Sequence, residues 1–270
     1  MSQKKQRLDV RLAEEGCYPS REKARAAVMA GLVFVNGQRA DKPGLLIKPQ
    51  SNIEIRGSSL IYVSRGGLKL EKAIKSFSLD LNDRIVLDVG ASTGGFTDCA
   101  LMNGARLVYA VDVGYGQLAW RLRNDPRVVV LERTNIRYLA EESLPETPDF
   151  VTIDVSFISL SKVLPKIGEL TAADAEGMAL VKPQFEAGRD KVGKKGVVRD
   201  PGVHVAVLHA VTGVVKALGW VIGGLDYSPV TGPKGNIEFL IYFKKNGSPV
   251  DGDIDHVVKT AHVNFGYLQA

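Results

Sequence analysis

The sequence predicts an α/β protein, a doubly wound sheet of seven strands preceded by a small α+β module. Two observations carry that expectation. From Arg84 onward, short apolar runs alternate with helical patterns, the signature of a parallel sheet covered on both faces. One of those runs leads straight into a glycine turn, Val86-Leu87-Asp88-Val89-Gly90-Ala91-Ser92-Thr93-Gly94-Gly95-Phe96. A chain of 270 residues is long enough for one such domain and an appendage. We therefore expect two domains, residues 1–60 and 61–270, joined near Gly57-Ser58-Ser59-Leu60, where glycine and serine punctuate the chain. With 24% charged and 45% hydrophobic residues, disordered and fibrous classes are excluded.

Along the first domain, Arg7-Leu8-Asp9-Val10-Arg11-Leu12 predicts the start of a short helix. Leu8 and Leu12 would face inward, with Arg7 and Arg11 on one exposed face. Ser20 is a good N-cap for a second helix over residues 21–30, although Lys23 sits where a capping-box acid would; Gly31 ends it, and Arg21 and Arg25 repeat the basic spacing. Leu32-Val33-Phe34-Val35 reads as a strand meeting an Asn36-Gly37 hairpin turn, and Asn52-Ile53-Glu54-Ile55 as a second strand. Residues 1–63 hold eleven Lys/Arg against six Asp/Glu, and the remaining 24 of each sign balance, so the whole net charge of +5 lies there. An excess of that sign on a small module attracts a polyanion, whose condensed counterions are released as Lys and Arg meet phosphates.

In the larger domain the expected strands are Ile85–Val89, Leu107–Asp112, Val128–Leu131, Phe150–Asp154, Met178–Lys182, Trp220–Tyr227 and Ile237–Phe243. Between the fifth and sixth, Asp200 can cap a helix with Pro201 in its first turn and Gly219 at its end. Residues 188–198, glycine-rich and basic, form a loop expected to be mobile and near substrate. Ligands of such sheets bind beyond the carboxyl ends of the strands. Asp88, Asp112, Asp154 and Lys182 each lie at or near such an end, so four charged groups are expected on one rim. Plainer roles exist: Asp88 as a helix cap, and Lys69 as a solvated charge within Lys69-Leu70-Glu71-Lys72. Asp154 and Lys182 are harder to explain that way, because an unpaired buried charge is costly.

The glycines of the turn let backbone approach a ligand, and the helix from Gly95 offers free N–H groups. Asp112 is placed to accept hydrogen bonds from ribose hydroxyls. These features suit a dinucleotide or S-adenosylmethionine; the Gly-x-x-x-Gly-Gly spacing departs from the dinucleotide fingerprint and favours the latter. Cys17 and Cys99 show no partnering spacing, and His204, His209, His256 and His262 no ligand spacing, so neither a disulfide nor a metal site is expected. No stretch approaches the roughly 20 apolar residues that span a bilayer, and the N-terminus carries no export signal, so a cytoplasmic protein is expected.

Two resemblances add to this reading. Ser20-Arg21-Glu22-Lys23-Ala24, Met29-Ala30-Gly31-Leu32-Val33 and Val35-Asn36-Gly37 resemble the RNA-binding module named after ribosomal protein S4. That resemblance implies that Arg7, Arg11, Ser20, Arg21 and Arg25 face RNA, and Lys23 belongs to the same basic set; the plainer reading is that these side chains solvate amphipathic helices. Over essentially the whole chain, Tyr62-Val63-Ser64-Arg65-Gly66-Gly67-Leu68-Lys69-Leu70, Asp88 to Phe96, Asp154-Val155-Ser156-Phe157-Ile158-Ser159 and Lys182-Pro183-Gln184-Phe185-Glu186 resemble the TlyA or haemolysin A type of ribosomal RNA 2′-O-methyltransferase. The catalytic domain of that family is Rossmann-like and similar to FtsJ-like enzymes. The resemblance implies a Lys-Asp-Lys-Glu tetrad at Lys69, Asp154, Lys182 and Glu238, and S-adenosylmethionine bordered by Asp88, Gly90, Ser92, Thr93, Gly94, Gly95, Phe96, Asp112, Thr134 and Asn135. It further implies ribosomal RNA or ribosomal subunits as partner and cytidine as target.

The chemistry of such a tetrad is intelligible from its side chains. A ribose 2′-hydroxyl is a poor acid, so its attack on a sulfonium methyl needs a base, for which Lys182 is the candidate. A lysine is a base only when neutral, a form favoured by a second cation, Lys69, and by partial burial. Asp154 can orient Lys182, and Glu238 can hold Lys69. The fourth strand ends in Asp154-Val155-Ser156-Phe157 rather than the Asn/Asp-Pro-Pro-Tyr/Phe of amine methylation, and neither cysteine is placed for attack on a pyrimidine carbon. Two further readings stay open: a membrane-active haemolysin, and an RNA-binding assembly protein without catalysis.

Overall fold

The computed structural model describes residues 5–15, 17–18, 20–29, 31–55, 62–250 and 252–267; the expected linker at residues 57–60 lies outside them. The chain divides into two compact units, Met1–Ile61 and Tyr62–Ala270.

In the first unit, β1 (Gln6–Arg7) precedes α1 (Leu8–Glu14) and α2 (Arg21–Met29), followed by β2 (Val33–Val35), β3 (Gln38–Arg39), β4 (Leu46–Ile47) and β5 (Ile53–Ile55). Leu8, Leu12, Ala24, Ala27, Val28 and Val33 form its core. One expectation is corrected: Arg7 is not in the helix. Its backbone pairs antiparallel with Leu46, and Leu8 N–H donates to Leu45 O, so the helix starts one residue later and Arg7 does not share a helical face with Arg11. Asn36 and Gly37 both take positive φ, 51° and 80°, the requirement of a two-residue hairpin whose twist matches its strands. The strand that this turn returns is β3, too short to read from the sequence; β5 pairs along the other edge of β2.

The second unit is built on seven strands: β6 (Ile85–Val89), β7 (Leu107–Val111), β8 (Val128–Leu131), β9 (Phe150–Ile153), β10 (Glu176–Val181), β11 (Val221–Tyr227) and β12 (Phe239–Lys244). Their order across the sheet is β11-β12-β10-β9-β6-β7-β8. Alternation sends Ile85, Leu87 and Val89 to one face and Val86 to the other. The first face is covered by α6 (Leu164–Leu170), α8 (Pro201–Ala217) and α9 (Ile254–Asn264). The second is covered by α3 (Gly66–Phe77), α4 (Gly95–Met102) and α5 (Trp120–Arg123), while α7 (Pro183–Glu186) is a single turn after β10. Each fully buried Leu or Phe in these layers is worth about 1.5–3 kcal/mol. Asp200 caps α8 as expected, its carboxylate accepting from Val203 N–H at 3.2 Å.

The sheet is parallel, as expected of a doubly wound fold, except at one strand. β12 runs antiparallel to both neighbours, β10 and β11. Only a short connection, residues 228–238, separates β11 from β12, and an antiparallel return needs no crossover helix, whereas a parallel one does. Among the described residues, no helix is long and apolar enough to cross a membrane.

Candidate active site

The carboxyl ends of β6, β7, β9 and β10 and the start of β12 meet at one rim. Gly90, directly after β6, has φ +86°, and a Cβ there would stand 2.6 Å from the Asp154 carbonyl oxygen. Glycine is therefore what lets the turn lie against the end of β9. Gly95 plays the same part at the start of α4, where a Cβ would come within 2.3 Å of Ser64 Oγ and 2.8 Å of Gly67 N. That close approach brings the first turn of α3, and with it Lys69, over the glycine turn.

Four buried or half-buried ionic groups converge here. Lys69 Nζ donates to Glu238 Oε2 at 2.6 Å and lies 3.6 Å from Asp154 Oδ2. Lys182 Nζ lies 2.5 Å from Asp154 Oδ1 and donates to Ser156 Oγ at 2.9 Å. Two cations and two anions cancel, which is what makes their burial tolerable. The antiparallel β12 is essential to this grouping. Its register pairs Phe239 with Val181, so the residue before it, Glu238, stands beside Lys182. Burial holds the Glu238 carboxyl above the usual carboxylate range, with the Lys69 ammonium opposing the shift. Its Oε1 is buried without a hydrogen-bond donor, so the cluster retains an acceptor.

Two cavities flank the glycine turn and share Gly90, Ser92 and Asp154. The smaller, about 270 Å³, is lined by Lys69 together with Ser64, Arg65, Thr93, Gly95, Phe96 and Gly232. The larger, about 670 Å³, is bordered by Asp112, Gln117, Thr134, Asn135, Ser156 and Phe157. Asp112 accepts from Ser92 N–H and Gly114 N–H, each at 2.7 Å, and so ties the glycine turn to the end of β7. Thr134 Oγ1 donates to Glu132 O, and Asn135 accepts from Arg137 N–H.

Not every expected residue reaches these cavities. Asp88 is fully buried beneath the turn, accepting from Thr97 Oγ1 at 2.6 Å and Thr152 Oγ1 at 2.9 Å, and desolvation pushes its carboxyl up to about 6. Gly94, φ +95°, packs against Leu118 and Leu122 and starts α4. Both shape the turn from behind. The loop 188–198 is tied to the start of β12: Val198 N–H donates to Asn236 Oδ1 at 3.0 Å, and Asn236 Nδ2 to Gly196 O at 2.9 Å.

In the first unit, Arg7 and Arg21 both donate to the buried Asp9, at 2.9 and 3.0 Å, and the guanidiniums hold its carboxyl well below the usual range. Arg11 pairs with Glu15 and donates to Lys48 O. Ser20 Oγ accepts from Lys23 N–H, and Lys23 and Arg25 are exposed.

Sequence reasoning passed over Ser156, Gln117 and Gly232. Ser156 had a signal, since it lies two residues past Asp154 within a run that carries the family resemblance. Gly232 had none, because its role depends on the Glu238 carboxylate, against which a Cβ would clash at 2.2 Å.

A doubly wound sheet whose glycine turn opens on a cavity beside an acid placed for ribose hydroxyls defines a Rossmann-like domain that binds a nucleoside-containing ligand. Residues 62–245 match the FtsJ-like methyltransferases and residues 6–53 the S4 domain. The chain belongs to the FtsJ-like methyltransferase family, carries an S4 domain ahead of its catalytic unit, and uses S-adenosylmethionine. It is 44% identical over 88% of its length to the 16S/23S rRNA (cytidine-2′-O)-methyltransferase TlyA of Mycobacterium tuberculosis, covering 89% of that chain. It is 43% identical over 88% of its length to Hemolysin A of Brachyspira hyodysenteriae, covering 99% of that chain. A solved structure of a hemolysin-named protein from Streptococcus thermophilus is 47% identical, with a TM-score of 0.78 and 98% of each chain covered.

Proposed function

We propose that this protein transfers a methyl group from S-adenosylmethionine to a ribose 2′-hydroxyl of ribosomal RNA, at cytidine, in the cytoplasm. In this reading residues 1–60 grip RNA and residues 61–270 carry out the transfer. The observation that carries the proposal is the charge-balanced cluster of Lys69, Asp154, Lys182 and Glu238, of which Asp154 borders both cavities and Lys69 the smaller. TlyA relatives named for that reaction support the choice of substrate.

The larger cavity has the size of a nucleoside-like group, and its lining fits S-adenosylmethionine: Asp112 keeps free lone pairs for ribose hydroxyls, and the glycine turn lets the donor lie close to the backbone. When bound there, S-adenosylmethionine supplies an electrophilic sulfonium methyl. Lys182 Nζ, in its neutral form, would take the proton of the 2′-hydroxyl as the oxygen's electron pair bonds to the methyl carbon and the carbon–sulfur bond breaks, its pair remaining on the departing thioether sulfur. Asp154 orients Lys182 through Oδ1 and holds Lys69 through Oδ2. Glu238 fixes Lys69. Holding the oxygen in line with the methyl carbon is worth up to about 7 to 11 kcal/mol in well-oriented intramolecular reactions. Around the larger cavity, Arg133 stacks on Tyr115 with 4.2 Å between guanidinium and ring, a basic and aromatic edge suited to RNA.

A 2′-O-methyl group blocks attack on the neighbouring phosphodiester, so its linkage resists alkali. Ribosomal RNA from cells with the gene should show an alkali-resistant cytidine linkage that cells lacking the gene do not. Identical alkaline ladders, or a methyl group on a base, would overturn the proposal.

A further inference from the structure

We infer that Glu186 is a positioning residue for Lys182, clasping the loop after β9 so that Ser156 stays on the Lys182 amine. The inference rests on the role of Lys182 proposed above.

The ladder between β9 and β10 ends at Ile153 and Ala179, before either Asp154 or Lys182 is reached. The main chain of Asp154 is still anchored, its N–H donating to Val89 O at 2.9 Å. Beyond it, side chains make the connection to the segment after β10. Lys182 donates to Ser156 on one side. On the other, Ser159 Oγ donates to Glu186 Oε2 at 2.7 Å and Leu160 N–H donates to Glu186 Oε1 at 2.8 Å. Lys182 precedes α7 and Glu186 ends it, so one helical turn carries both ties.

Between those ties sits Phe157, with φ +63°, a region that a bulky residue occupies only when its surroundings over-determine it. Its ring, 90% exposed, rests against Phe185 of the same turn at 5.0 Å. A strained residue between two hydrogen-bonded anchors relaxes when either is released. Ser156 would then drift from Lys182, and the amine would lose its direction toward the hydroxyl. Glu186 is also expensive to keep where it is. Burial raises its carboxyl above the usual range, a cost that its two donors offset only in part.

The test compares Glu186→Ala, Glu186→Gln and Ser159→Ala with the wild-type full chain and with Lys182→Ala, using labelled S-adenosylmethionine and ribosomal subunits. Ser159→Ala removes one donor and little volume, so it carries the test if Glu186→Ala does not fold. Each loss of the clasp should lower kcat by about 10- to 100-fold, the cost of a small misplacement at a reacting centre, with the pH–rate profile displaced. Glu186→Gln keeps an acceptor for Leu160 N–H and should recover part of the rate. The double variant Glu186→Ala with Ser159→Ala should be no slower than Glu186→Ala alone, because both delete one interaction. Wild-type kcat and pH profile in folded Glu186→Ala and Ser159→Ala overturn the inference. Full activity in Lys182→Ala overturns the base assignment instead, so the two failures are told apart.

Discussion

Lys69 and Lys182 meet on opposite oxygens of one carboxylate, Lys69 Nζ at 3.6 Å from Asp154 Oδ2 and Lys182 Nζ at 2.5 Å from Asp154 Oδ1. A single anion holds together two cations that would otherwise repel. Asp154→Asn removes that anion and leaves Lys182 only the neutral acceptors Asn Oδ1 and Ser156 Oγ, so methyl transfer should fall by about 10² to 10⁴, the usual worth of a placed acid–base group. Single-turnover transfer of labelled methyl at saturating RNA checks this. A loss confined to KM would show that Asp154 serves binding instead.

Asp112 both braces the glycine turn and faces the larger cavity. Asp112→Ala should weaken S-adenosylmethionine binding by about 10- to 100-fold, corresponding to roughly 1.5–3 kcal/mol for hydrogen bonds to a charged acceptor. Asp112→Asn, which keeps one carbonyl oxygen, should lose less. Calorimetric titration with the donor measures both, and unchanged affinity in Asp112→Ala would remove it from the cofactor site.

The buried Asp88 gives the catalytic unit a specific response to pH. Its carboxyl is raised from 3.8 to about 6 by desolvation, so the folded state holds this proton more tightly than the unfolded state. Stability from this group is therefore full below about pH 4 and falls as pH rises to about 6, by about 3 kcal/mol in all. Asp88→Asn carries no such penalty, so its stability relative to wild type should climb between pH 4 and 7. Denaturant unfolding of both proteins across that range tests the slope; a constant difference would mean that the carboxyl is not raised.

On the RNA-binding unit, Arg21 leans on Asp9 and Arg25 is exposed. Replacing both with Ala should weaken binding of the full chain to ribosomal RNA and lower the slope of log affinity against log salt by about 2, one for each phosphate left without its arginine. Binding measured over a series of salt concentrations supplies the slope. An unchanged slope would show that these arginines only solvate the helix.

Much of this architecture was legible because apolar strands and a glycine turn are local signals. All seven strands of the large sheet fall within a few residues of their expected places, since each is a short, mostly apolar run. Glu238 shows the limit of that reading. In an all-parallel sheet the start of the last strand would lie on the rim opposite Asp154. The reversal of β12, visible only through pairing, is what brings Glu238 to Lys69. Arg7 fails for a related reason, as a two-residue bridge to Leu46 is too short to leave a pattern and yet takes Arg7 out of the helix. Glu186 stands in the sequence only as the last residue of the run Lys182-Pro183-Gln184-Phe185-Glu186. Its two donors lie 26 and 27 residues away, a relation that no local pattern encodes.

The central claim, that Lys182 removes the proton of a ribose hydroxyl, is tested most directly by incubating purified wild-type protein and Lys182→Ala with labelled S-adenosylmethionine and ribosomal RNA, then digesting the RNA in alkali. Wild type should place the label in an alkali-resistant dinucleotide, and Lys182→Ala should place none while binding donor and RNA as wild type does. Label released as a base-methylated mononucleotide, or Lys182→Ala working at full rate, would contradict it.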